Sequence, residues 1–364
     1  MWWTSPIWSR CAWRNCPTND KQGIQRAISR RHIALIYAGG TVGMTKTARG
    51  YAPMDNFDAA LATLLDGQGE RLPRYTLHAY ADPIDSSNAT PADWLRIGSD
   101  IAARYHEYDG FVVLHGTDTM AYTAAALSFM LQGLRKPVIV TGSQIPLDAA
   151  RSDAARNLVG ALTLAASDDI NEVALFFDTR LLRGNRSTKA SAARMAAFDS
   201  PNYPWLAEAG IDMMFNRGAL LPRPAREAFA LPAAYPGMVL SLRFVPGMPL
   251  AALQALLALR PDALILECYG AGNAPDRDPV LLDLLARASA DGTAVVACSQ
   301  SPHGRVAIGT YAAGAGMGAA GVAGAADMTF EATYAKLHHL LALGLDAAAI
   351  RDRFVVSLSG EVTA

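Results

Sequence analysis

The sequence predicts an α/β protein of two domains, each built on a mainly parallel sheet flanked by helices. Three observations lead there. Short apolar runs alternate with helix-period stretches along most of the chain, the rhythm of parallel strands joined by crossover helices. At 364 residues the chain exceeds one comfortable core. The rhythm also breaks once, over 216–236, where Pro222, Pro224, Pro232 and Pro236 punctuate a stretch without periodicity. Proline density of that kind suits an interdomain linker. The expected division is an N-terminal extension over 1–30, a larger domain over 31–215, the linker over 216–236, and a smaller domain over 237–364.

In chain order, His32–Ala38 reads as a buried strand, followed by a helix near Phe57–Leu65 and an extended segment Tyr75–Tyr80. Pro91 opens a helix with Thr90 as its cap and Asp93 in the first turn; Trp94, Ile97, Ile101 and Tyr105 share one face. Strand Gly110–Leu114, helix Thr119–Leu131, strand Pro137–Thr141, helix Asp153–Ala166 and strand Val173–Phe177 complete the first alternation. Their unbroken apolar character implies a parallel sheet covered on both faces. Beyond the linker come strand Val239–Phe244, helix Leu250–Leu259, strand Ala263–Glu267, helix Pro279–Ala290, strand Ala294–Ser299 and a closing helix Thr329–Leu343. There is no internal repeat.

Composition narrows the function. Lys plus Arg number 32 against 33 Asp plus Glu, so no charge excess favours nucleic acid or an anionic membrane. Cys11, Cys16, Cys268 and Cys298 are too scattered for a disulfide scaffold and form no CxxC zinc pair. Cys268 and Cys298 fall in strand-like runs and read as buried free thiols, consistent with a cytoplasmic protein. The first 30 residues hold four tryptophans but are interrupted by arginines; lacking a continuous apolar stretch, they make a poor secretory signal and read as a disordered extension or as sequence upstream of the true start. Val306–Ala325 is uncharged, yet its Gly and Ala content is too weakly apolar for a membrane span.

The chemistry collects in the loops after strands, where parallel sheets gather ligands. Strand Gly110–Leu114 empties into His115-Gly116-Thr117-Asp118-Thr119, and strand His32–Ala38 into Gly39-Gly40-Thr41-Val42-Gly43. The Gly-rich turn matches neither GxGxxG nor GxxxxGK[ST], so its warrant for nucleotide binding is weak. A threonine hydroxyl is a poor nucleophile that needs a base or proton relay, and Asp118 and Lys189 are of the right kinds to serve Thr117. Taken singly, Asp118 would serve as a helix cap and Lys189 as a solvated surface lysine. Backbone amides around Gly40 and Gly116–Thr117 are candidate oxyanion donors.

AGGTVG, HGTDTM, KPVIVTGSQIPL, RGNRSTK and YGAGNAP, in this order over Arg31 to Glu361, resemble bacterial L-asparaginases of the cytoplasmic type I group. The resemblance implies an asparaginase-like fold, hydrolysis of L-asparagine to L-aspartate and ammonia, no metal or organic cofactor, and a homodimer or homotetramer. By the same resemblance Thr41 is the nucleophile, and Thr117, Asp118 and Lys189 form the relay. Tyr51 in RGYAP is a mobile tyrosine closing over the substrate. Ser86 or Ser87, with Asp85 beside them in DSSNATPADW, holds the substrate together with Gly40 and Gly116. Asn273 matches an asparagine that reaches the active site across a subunit interface. A carboxylate beside Lys189 favours its ammonium form, which suits a proton shuttle or orienting group better than a free base. The second-domain glutamate of secreted type II members has no equivalent placed here, which leaves asparagine against glutamine open. The rival readings are an amidotransferase subunit of the same fold, disfavoured by the short N-terminal extension, and a non-enzymatic amino-acid-binding protein. The latter would need Asp118 and Ser86 but not both threonines with Lys189.

Overall fold

The computed structural model describes residues 29–48, 50–67, 71–275, 277–308 and 312–363. The proposed N-terminal extension, including Cys11 and Cys16, lies outside the described residues except for its last two positions.

The larger sheet has eight strands in the order β12-β11-β8-β7-β6-β5-β1-β4. Its parallel part is β4 (Arg74–Ile84), β1 (His32–Gly39), β5 (Gly110–Leu114), β6 (Val138–Thr141) and β7 (Val173–Phe177). All but the first residue of β1 and every residue of β5, β6 and β7 are buried, as expected of central strands covered on both faces. The covering helices are α1 (Phe57–Asp66), α2 (Pro91–Ala103), α3 (Met120–Met130) and α4 (Ala154–Ala165). In α2, Trp94, Ile97, Gly98 and Ile101 face the core, and the Asp93 carboxylate accepts from both the Thr90 N–H and its hydroxyl at 2.8 Å. This closes the predicted N-terminus as a capping box between Thr90 and Asp93.

The far edge of this sheet departs from expectation. β8 (Arg180–Arg183), β11 (Ala207–Ala209) and β12 (Met213–Phe215) are antiparallel additions. Only Asp178 and Thr179 separate β7 from β8, and Asp178 takes φ 59°. Two residues allow a hairpin and exclude a crossover. A second hairpin, β2 (Met44–Thr47) with β3 (Gly50–Pro53), leaves the Gly-rich turn, and β9 (Thr188–Lys189) pairs with β10 (Phe198–Asp199).

The smaller sheet is wholly parallel, in the order β13 (Val239–Arg243), β14 (Ala263–Cys268), β15 (Ala294–Ser299) and β16 (Ala323–Gly324). It is flanked by α5 (Leu250–Ala258), α6 (Pro279–Ala290), α7 (Ala312–Ala319) and α8 (Phe330–Ala342). Cys268 and Cys298 are free and buried. The α8 helix is not the last element: α9 (Ala347–Phe354) follows, opened by the Asp346 side chain accepting from the Ala349 N–H. The polar, short α9 lacks the apolar periodicity by which α8 is recognised.

The two units meet along α3 and α8. Helix α3 is buried on nearly every side, with Tyr122 edge-on to Phe330 and Tyr334, and Phe129 stacked on His339. The segment 216–238 carries no helix or strand, and it packs Phe229, Leu231 and Tyr235 onto the same core. Among the described residues, no helix is long and apolar enough to cross a membrane.

Candidate active site

Strand order fixes the location. From β1 the chain moves outward to β4, then crosses back over β1 to β5. The strand direction therefore reverses its progress at β1, and the crevice beyond the strand ends at such a switch point is the favoured ligand position. The loops leaving β1, β4 and β5 converge there.

Glycine permits the convergence. A Cβ on Gly40, whose φ is 95°, would lie 2.3 Å from the Gly116 nitrogen. A Cβ on Gly116 would lie 2.3 Å from the Ser86 Oγ and 3.3 Å from the Gly40 Cα. The Gly40 and Gly116 backbones are thus in contact, with the Ser86 side chain against Gly116, and Thr41 and Thr117 each follow the contact by one residue. Thr41 begins a single 3-10 turn, Thr41–Gly43, closed by the Gly43 N–H donating to the Gly40 carbonyl at 3.1 Å. Thr119, a residue the sequence reading passed over, ties the loops further by donating its hydroxyl to the Ser86 carbonyl at 2.7 Å.

The relay is assembled as well. The Lys189 ammonium donates to the Thr117 Oγ at 2.9 Å and to the Asp118 carboxylate at 2.7 Å. Thr117 is buried, while the Asp118 side chain is 62% exposed, so its carboxylate faces open solvent at the mouth of the crevice. Asp118 is not a helix cap: α3 begins two residues later, with Thr119 at the cap position. Thr117 in turn donates to the Gln144 Oε1 at 3.2 Å. Gln144 is held by its own N–H on the buried Asp153 carboxylate and by its amide donating to the Arg194 carbonyl.

Beneath the loop lies His115, fully enclosed. Its Nδ1 faces the Gly116 carbonyl at 2.9 Å and its Nε2 faces the Thr123 hydroxyl at 3.0 Å. A carbonyl can only accept, so Nδ1 carries the proton and Nε2 accepts from Thr123. Burial pushes the imidazole below its ordinary range, which keeps it neutral. The ring therefore grips the peptide that joins Gly116 to Thr117.

The two adjacent serines differ. Ser87 spends its N–H and its hydroxyl on Asp85, at 3.1 and 2.9 Å, and Asn88 adds a third donor at 2.8 Å. Those bonds, led by the Ser87 N–H, hold the Asp85 carboxyl below the usual range. Ser86 is buried against Gly116. Two further predicted residues are exposed. Tyr51 lies on β3 and is 58% exposed. Asn273 is exposed on the turn after β14, where its backbone pairs with Tyr269. Among the described residues, no three His, Cys, Asp or Glu side chains gather as a metal site.

Residues 32–220 match the family description "Asparaginase, N-terminal" and residues 238–354 match "Glutaminase/Asparaginase C-terminal domain". The chain belongs to the asparaginase family. It is 46% identical to L-asparaginase 1 of Escherichia coli over 337 residues, covering 92% of this chain and 99% of that protein. The crystal structure of L-asparaginase I from Vibrio cholerae superimposes with a TM-score of 0.84 at 43% identity, covering 92% of this chain and all of the other. The thermostable L-asparaginase from Thermococcus kodakarensis gives 0.83 at 33% identity, covering 92% and 99%.

In this asparaginase-family chain the RGNRSTK run does two jobs. Only Lys189 faces the threonines. Arg183, Asn185 and Arg186 point the other way and clamp the C-terminal segment: the Gly360 carbonyl accepts from Arg183 at 3.0 Å and Arg186 at 2.9 Å, and the Ser359 carbonyl from Asn185 at 3.0 Å. Arg186 also pairs with Asp327 at 3.0 Å. A motif in one stretch of sequence is thus split between the Thr117–Asp118 loop and attachment to the C-terminal segment.

Proposed function

We propose that this protein is an L-asparaginase that hydrolyses the side-chain amide of L-asparagine to L-aspartate and ammonia through a threonine acyl-enzyme. The observation that carries the reading is the bifurcated Lys189 ammonium, bridging Thr117 and Asp118 in a loop that touches the turn bearing Thr41. Substrate asparagine presents an ammonium, a carboxylate and an amide. The exposed Asp118 carboxylate pairs with the ammonium, and the Ser86 hydroxyl donates to the α-carboxylate. Ser86 suits that role better than Ser87, whose hydroxyl serves Asp85. Asp85 itself shapes the loop.

Thr41 attacks the amide carbon while backbone N–H groups around Gly40 and Gly116–Thr117 receive the developing oxyanion. Ammonia leaves, and Thr117 orients the water that releases aspartate. Lys189, held as an ammonium by Asp118, donates to the Thr117 oxygen, so it orients that hydroxyl and passes protons rather than starting as a base. Tyr51, on its exposed hairpin, closes over the bound substrate. Asn273, exposed on its turn, contributes from a second copy in a homodimer or homotetramer. The reaction proceeds in the cytoplasm without a cofactor.

Ammonia release from L-asparagine by the purified chain, compared with L-glutamine over a range of concentrations, tests the reading. Thr41→Ala and Thr117→Ala are each expected to lower kcat by about a thousandfold or more. Full activity in either variant sinks the two-threonine mechanism.

A further inference from the structure

Lys189 is the one member of the relay contributed by β9, and β9 has a partner from the other domain. Glu331, in the first turn of α8, is buried with 8% of its surface exposed. Its carboxylate accepts from the Thr188 hydroxyl at 2.7 Å. The backbone N–H groups of Lys189 and of Glu331 itself at the helix start also favour the charged carboxylate, against a burial that dominates. The Thr188–Lys189 peptide is therefore held, through the Thr188 hydroxyl, by a carboxylate from the smaller domain.

We infer that Glu331 is a positioning residue for the reaction proposed above, holding the Lys189 backbone so that its ammonium meets Thr117 and Asp118. The grip is made on the peptide bearing the relay lysine, not on substrate, so Glu331 acts through Lys189. β9 is only two residues long and pairs with the equally short β10, which leaves its local ladder too small to fix the lysine alone. Glu331 makes no ion pair among the described residues, and burial holds its carboxyl above the ordinary range. A buried acid of this kind costs stability unless its bonds serve a purpose.

A general interdomain pin is the competing role, and the structure separates the two. The domains are already joined by Arg183, Asn185 and Arg186 on the Ser359–Gly360 carbonyls and by Arg186 on Asp327. None of those bonds is made to Thr188 or Lys189. Glu331 adds attachment where attachment is already dense, at the one place that sets the lysine.

The test compares Glu331→Ala, Glu331→Gln, Thr188→Val and Thr188→Ser with Asn185→Ala as a pin control, in the full chain. Wild-type turnover of L-asparagine, and its loss in Lys189→Met, establish the reading on which the inference rests. Failure there is visible before any Glu331 variant is measured. Given that, Glu331→Ala and Thr188→Val are expected to lower kcat about tenfold or more, since small misplacements of a catalytic group have large kinetic effects. KM should stay within about twofold of wild type. Glu331→Gln and Thr188→Ser, which keep an acceptor oxygen and a hydroxyl, should restore most of the rate. Asn185→Ala should lower Tm and leave kcat unchanged. The inference is overturned by wild-type kcat in Thr188→Val. It is equally overturned if kcat losses across all variants, Asn185→Ala included, simply track Tm. Should Glu331→Ala fail to fold, the Thr188 pair decides alone.

Discussion

Gly116 lacks a side chain because the Ser86 side chain and the Gly40 backbone crowd its α-carbon, and that crowding yields a direct prediction. In Gly116→Ala the new methyl would press on Ser86, and in Gly40→Ala it would press on backbone alone, in a left-handed conformation. Both variants are expected to lose about a hundredfold in kcat/KM through displaced loops, and Gly40→Ala should also lose roughly 1–3 kcal/mol of stability. Steady-state kinetics with urea unfolding checks this. Wild-type kinetics in both would mean that close approach does not set the site. At this scale much was legible in the sequence: Thr117, Asp118 and Lys189 do meet. The choice of Ser86 over Ser87 was not, because it depends on a single 3-10 turn that directs one hydroxyl to Asp85. Gln144 and Glu331 were also out of reach. Their partners lie 27 and 143 residues away, and neither has a local spacing that announces the contact.

Among elements, the parallel strands and their helices were readable because continuous apolar burial leaves a continuous apolar sequence. The antiparallel edge β8-β11-β12 was not, since its strands are three or four residues long and β8 is entered through Asp178-Thr179, a pair without glycine. The C-terminal segment after α9 was likewise silent, yet it contains the most enclosed ion pair of the fold. Lys336 on α8 and Glu361 are both completely buried, 2.5 Å apart. Lys336 also donates to the Phe354 and Val356 carbonyls, and Glu361 accepts from the Leu358 and Ser359 N–H groups. Burial alone would raise the Glu361 carboxyl, but Lys336 and those N–H groups hold it below the usual range. Glu361→Ala should cost roughly 3–5 kcal/mol by stranding the ammonium, and the apolar double replacement Lys336→Met with Glu361→Leu should recover much of it. Denaturant midpoints distinguish these. A Glu361→Ala chain as stable as wild type would remove this pair from any account of the fold.

For the whole molecule, the interface between the domains contains two histidines that set its behaviour in acid. His338 sits among Trp94, Tyr235 and Tyr334, and His339 against Phe129. Among the described residues none of their ring nitrogens has a hydrogen-bond partner. Burial pushes both imidazoles down to about 4, whereas in an unfolded chain they protonate near ~6.5. Between those values the unfolded state binds protons that the folded state refuses, so stability falls as pH drops through the window. Above it both states are neutral and the contribution is constant. The loss should be on the order of 3 kcal/mol per ring by the bottom of the window. Melting temperatures from pH 7.5 to 4 should fall for the wild type and fall less for His338→Phe with His339→Leu. Parallel curves for the two proteins would rule the histidines out.

The clamp on the C-terminal segment also has a consequence in time. Arg183 and Arg186 receive their carbonyls from Gly360, 177 and 174 positions further along the chain. A ribosome delivers residues in order, and domains fold as they emerge, the N-terminal one first. The larger sheet thus gains all of its strands while Glu331, which seats β9, and the clamped carbonyls beyond it are still unmade. During that interval the nascent chain has a Gly-rich turn and two threonines in place, but no settled lysine. Competence for turnover arrives only once α8 has emerged, so a ribosome that stalls short of Glu331 releases a folded sheet with an idle crevice.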